Sequence, residues 1–121
     1  MLDVPILLFA VAVAASIAVL SLLPGDSRMM SLVPPTLHRA GHVSAYATLG
    51  CLCVLVLQPL VSTTFPPLLA GFLIATGFGV IMEYLQKLRP GRAPSVGDAA
   101  VNAAGAALGV LVALGWLASR G

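Results

Sequence analysis

The stretch "VPILLFAVAVAASIAVLSLL", residues 4–23, carries no charged side chain. About 20 apolar residues in a helix cross a bilayer core of roughly 30 Å. The run therefore predicts a transmembrane helix. A cleaved leader is the alternative, but a leader opens on basic residues, and only Asp3 offers charge here. A retained helix is expected.

The rest of the chain reads the same way. Of 121 residues, 60% are hydrophobic and 8% charged, and mean hydropathy is +1.06. A soluble domain carries roughly 25% charged residues, so a soluble chain of this composition could not cover its surface. An integral membrane protein of one domain, residues 1–121, follows. Further apolar segments run over about 39–61, 66–88 and 97–117. Pro59 weakens the second helix near its end by removing a donor. Pro66 and Pro67 suit the first turn of the third. The link near "STT" is short, which predicts an antiparallel hairpin. The first loop, "PGDSRMMSLVPPTLH", is long and leaves room for a short interfacial piece near Met29 to Val33. No period-two alternation suggests a barrel. The predicted fold is all-α, an integral membrane bundle of four transmembrane helices.

Charge is concentrated in "EYLQKLRPGRAPSVGDAAVN", residues 83–102. Two of the four acidic residues fall there, Glu83 and Asp98, with three of the six basic ones, Lys87, Arg89 and Arg92. Helical spacing groups the polar residues further. His42 and Tyr46 share a face of the second helix, with His38 and Arg39 a turn earlier at its mouth. Glu83 and Gln86 share a face of the third, continued inward by Gly79 and Thr76. Asp98, Asn102, Gly105 and Gly109 lie within roughly 60° on the fourth. In an up-down-up-down bundle these ends meet at one membrane surface. The sequence thus predicts a polar pocket there.

Duller roles compete at each position. Ser95 with Asp98 fits a capping box. Asn102 fits interhelical glue, and Gly105 with Gly109 fits close helix packing. Lys87, Arg89 and Arg92 fit topology signals, and Tyr46 fits an interfacial aromatic. Ionisable groups within spans nevertheless mark function by default. Cys51 and Cys53, at i and i+2, point to different sides and read as small buried thiols. No nucleic-acid platform of interleaved basic and aromatic residues is present.

The segments "HRAGHVSAYATLG" and "EYLQKLRPGRAPSVGDAAVNAAGAALG" resemble the VanZ-like family of small bacterial membrane proteins. His42 and Tyr46 match its first motif. Glu83, Gln86, Arg92, Ser95, Asp98, Asn102 and Gly105 match its second. The chain departs at an Asp-Lys pair, carrying His38 and Arg39 instead, which keeps the charge and loses the acid. The resemblance covers the second to fourth helices. It implies a multi-pass protein of the bacterial cytoplasmic membrane, with a family link to resistance to teicoplanin, a glycopeptide antibiotic.

Two functional classes suit these residues. In the first, the pocket binds an anionic lipid headgroup or lipid-linked precursor. Its candidate ligand-binding residues are Arg39, Tyr46, Gln86, Arg89, Arg92, Ser95 and Asn102. Guanidinium groups pair bidentately with phosphate. In the second, a membrane-embedded enzyme uses His42, with Glu83 or Asp98, in acid–base catalysis. No cofactor is implied. A metal held by His42, Glu83 and Asp98 would draw ligands from three helices without HExxH-type spacing, so no metal is expected. A third reading is a structural bundle packed on a larger partner. Five of the six Lys and Arg residues cluster on the pocket side, which by the positive-inside rule predicts a cytoplasmic pocket.

Overall fold

A computed structural model of the chain describes residues 2–22, 34–86, 88 and 96–120. Four helices occupy them: α1 (Val4–Ser21), α2 (Pro35–Leu57), α3 (Phe65–Gln86) and α4 (Val96–Arg120). Each includes a stretch long and apolar enough to cross a membrane.

Local chemistry explains the helix ends. Asp3 caps α1: its Oδ1 accepts from the Ile6 N–H at 3.1 Å, satisfying a donor the helix leaves unpaired. The second helix begins at Pro35, a turn before the expected start near Arg39. Pro34 is extended, at φ −62° and ψ 149°, as a residue preceding proline prefers. Pro35 then occupies the first turn, where its missing N–H loses nothing. Pro59 ends the α-helical ladder as expected, and Gln58–Leu60 tighten into a 3-10 turn. Pro66 and Pro67 lie in the first turn of α3. The fourth helix runs three residues past the expected Leu117 to Arg120. No breaker intervenes, and the Arg120 guanidinium sits 5.4 Å from the Trp116 ring. A cation in the last turn also suits the helix dipole. Met29 to Val33, where an interfacial piece was expected, lies outside the described residues.

α2 is the organising element. It packs most extensively on α4, then on α3, and α1 leans chiefly on α2. The α2–α4 contact is made by small residues. A Cβ on Gly105 would stand 2.7 Å from the Val43 carbonyl oxygen, and one on Gly50 would stand 2.8 Å from that of Ala106. A Cβ on Gly109 would collide with the Ala47 carbonyl. Packing is thus the role of Gly105 and Gly109. Small residues let helix backbones approach in a bilayer, where dispersion replaces the hydrophobic effect as the driver.

The core is thin. Ile17, Tyr46, Leu49, Ala75, Met82 and Ala106 form its buried cluster. Leu8, Phe9, Leu73, Val80, Ile81, Leu111 and Val112 are exposed. An apolar surface this extensive is untenable in water, and in hydrocarbon it is the required exterior. The architecture is an all-α membrane bundle of four helices.

The α2–α4 packing separates glycines that are needed from those that are not. Gly109→Ala should lower the melting temperature of the purified protein, because backbone must shift; overpacking costs about 1–3 kcal/mol. Gly77→Ala meets nothing within 4 Å. It should leave the melting temperature unchanged or raise it, since alanine is the better helix former by about 1 kcal/mol. Paired thermal melts of the two variants check this.

Candidate functional site

The start of α2, the end of α3 and the start of α4 meet at one end of the bundle. Two hydrogen bonds fix this. His42 Nδ1 lies 2.8 Å from Asn102 Oδ1, joining α2 to α4. Gln86 Nε2 donates to the Ser21 carbonyl at 2.9 Å, joining the end of α3 to that of α1. The close approach of Gly79 of α3 to Tyr46 of α2 and Asn102 of α4 brings in the third helix, so the polar faces predicted on three separate helices converge.

His42 is half-buried. In its bond to Asn102 the amide oxygen can only accept, so Nδ1 carries the proton. A neutral ring then holds its basic lone pair on Nε2. One turn deeper, Tyr46 stacks beneath His42, with ring centroids 6.4 Å apart and planes 19° from parallel. Phe78 of α3 packs on the other side of Tyr46, with centroids at 6.4 Å and a 50° tilt. Tyr46 is only 1% exposed, so it is no interfacial aromatic. Gly79 keeps α3 close: a Cβ there would stand 3.1 Å from Tyr46 and 3.2 Å from Asn102.

Glu83 follows Gly79 by one turn of α3 and is buried. It lies within electrostatic reach of the Tyr46 phenol. Asp98 is half-buried in the first turn of α4. The negative charge favours that position because it faces the positive end of the helix dipole. Arg39 is exposed, three residues before His42. Arg89, Arg92 and Ser95, with Lys87 and the His38 side chain, lie outside the described residues. Thr76 continues the same face of α3 inward, and its hydroxyl is buried with no hydrogen bond among the described residues.

Not every candidate joins one group. His42, Tyr46, Glu83 and Asn102 gather around Gly79. Gln86 instead commits its amide N–H to α1, and Arg39 stays at the surface. Two contributors escape the sequence reading. Ser21 supplies a backbone carbonyl, to which its side-chain type is no guide. Phe78 is one apolar residue among many, with only its place beside Gly79 as a signal. Among the described residues no three His, Cys, Asp or Glu side chains form a metal-ligand set. Cys51 and Cys53 are free, half-buried thiols. Cys53 packs against the core.

The cluster can do two things chemically. It can orient an imidazole through Asn102, and it can offer buried hydrogen-bond donors and a carboxylate to a polar group entering from the membrane surface.

No family model, curated protein or solved structure matches the chain. The chemistry of the site is therefore read from its own residues, and the Gln86 strut is its simplest test. Gln86→Leu leaves the buried Ser21 carbonyl without its donor, a loss of about 1–3 kcal/mol. Its melting temperature should fall. A disulfide engineered between α1 and α3 should restore it.

Proposed function

We propose that this chain is a VanZ-like protein of the bacterial cytoplasmic membrane, and that its polar cluster receives the headgroup of an anionic lipid or lipid-linked envelope precursor. The observation that carries this reading is burial. Glu83, Gln86 and Asn102 are at most 8% exposed at one end of a bundle that is otherwise oil. An acidic residue in a span costs about 2.5 to 3.5 kcal/mol at the bilayer centre, and less near the surface. Such residues persist where they serve a ligand or a partner.

The sequence supplies the positive charge for the anion. Arg39 is exposed one turn into α2, and Arg89 and Arg92 occupy the chain between α3 and α4. Guanidinium groups recognise phosphate oxygens in pairs. The family link to teicoplanin resistance is consistent with a role at the envelope. The count of basic residues favours a cytoplasmic pocket, with the headgroup drawn from the inner leaflet.

One observation favours an acid–base enzyme as a second reading. Asn102 fixes the His42 tautomer, as an orienting partner of a catalytic histidine does. In that reading His42 moves a proton at Nε2, and Glu83 stabilises the imidazolium.

Lipid retention tests the first reading. Wild-type protein purified in mild detergent should keep anionic lipid in preference to zwitterionic lipid by native mass spectrometry. Arg92→Lys should weaken that retention several-fold, since a point charge lacks the fork, and Arg39→Ala should weaken it too. Retention unchanged in both variants would remove the anionic-headgroup reading. For the enzyme, Glu83→Gln should stay folded and lose its cellular phenotype. A phenotype that survives both this change and His42→Ala ends that reading.

A further inference from the structure

Two donors at the floor of the cluster have no acceptor among the described residues: the Tyr46 hydroxyl and Asn102 Nδ2. Both side chains are almost wholly buried, at 1% and 2% exposure. They are also neighbours. The point that a Cβ on Gly79 would occupy lies 3.1 Å from Tyr46 Cε1 and 3.4 Å from Asn102 Nδ2. Cε1 adjoins the ring carbon that carries the hydroxyl. Asn102 has already given its oxygen to His42, so its remaining valence is purely donating.

Buried donors without acceptors are rare in proteins, and each calls for an explanation. Both are covered by the bundle's own side chains, so bulk water does not reach them. The third wall of the same floor is Glu83, buried one turn beyond Gly79 on the same face of α3. An ionised carboxylate only accepts, and its two oxygens offer about four sites. The floor thus presents two donors and an acceptor to one small volume.

Few chemical groups satisfy all three. A phosphate oxygen accepts from the donors but is repelled by Glu83. An ammonium group donates to Glu83 and offers nothing to Tyr46 or Asn102. A hydroxyl group does both: its oxygen has two lone pairs and its hydrogen donates. We infer that the floor of the site binds a hydroxyl of a polyol or sugar headgroup. Its oxygen accepts from Tyr46 Oη and Asn102 Nδ2, and its proton points to Glu83. This deepens and rests on the reading of the cluster as a headgroup site, and it narrows the ligand to a lipid whose anionic phosphate carries a hydroxylated substituent. The phosphate stays beside the exposed Arg39, and the hydroxyl reaches inward past His42.

The test compares two phosphodiesters of equal charge, phosphatidylglycerol and phosphatidylethanol, which differ in headgroup hydroxyls. Each is titrated into the full-length protein in neutral detergent and followed by native mass spectrometry. The wild type should prefer phosphatidylglycerol by about tenfold, the worth of one or two hydrogen bonds. Tyr46→Phe removes only a hydroxyl that bonds to no described residue, so the variant should keep its melting temperature. It should lose most of the preference for phosphatidylglycerol. Equal binding of the two lipids to the wild type would overturn the hydroxyl inference and leave the anionic reading standing. An unaltered preference in Tyr46→Phe would overturn it as well. Binding of neither lipid would remove both.

Discussion

The close approach of α2 and α4 is the constraint on which the rest depends. Gly105 and Gly109 bring the α4 backbone against Val43 and Ala47, and Gly50 admits Ala106 from the other side. Only at this separation can short side chains such as His42 and Asn102 meet at 2.8 Å. A bulkier α4 face would push the helices apart and break that bond before any residue of the site was touched. The glycines therefore set the geometry of the polar cluster without taking part in it. Their spacing on α4 also fixes which way Asn102 faces, since Asn102, Gly105 and Gly109 share one stripe.

Burial decides what the polar residues mean. An interhelical hydrogen bond in a membrane is worth about 0.6 kcal/mol on average. The His42–Asn102 bond alone thus offsets little of the expense of placing Glu83 in a span. Stability does not account for the cluster. The apolar exterior and the small-residue seam would hold a four-helix bundle with aliphatic residues at these positions. The residues that weaken the bundle sit together at one end, around Gly79, and the opposite half of α3 is almost wholly apolar. This asymmetry sets that end of the bundle apart from the rest of the chain.

The fold was legible because bilayer thickness is a hard length rule. Four uninterrupted apolar runs of the right length leave few other arrangements, and the prolines punctuate them where helices end. α2 starts earlier than its sequence suggests, because Pro34 and Pro35 have the character of loop residues although Pro35 opens the helix. The faces of the site were legible too, since helical periodicity alone groups His42 with Tyr46 and Asn102 with Gly105. What periodicity could not supply was pairing across helices. Gln86 shares a face with Glu83 in sequence, yet its amide turns to the Ser21 carbonyl. Backbone acceptors carry no residue-type signature, so that strut was invisible.

The vertical order of the polar groups carries a last consequence. Arg39 begins the second span, His42 is one turn in, and Tyr46 is one turn deeper, about 10 Å below Arg39 along the helix axis. Charge therefore falls and hydrogen-bonding directionality rises with depth along α2. Long-range attraction acts first on a ligand's charge, whereas hydrogen bonds discriminate only at contact. A ligand entering from the surface meets the guanidinium before the imidazole, and the imidazole before the phenol. His42 stands between the two regimes. Its Nδ1 is tied down by Asn102, the same residue whose amide nitrogen faces the floor. Any atom that draws on Asn102 Nδ2 polarises the amide and strengthens the oxygen as an acceptor for His42. Asn102 in this way joins the deepest part of the cluster to the imidazole above it through a single side chain.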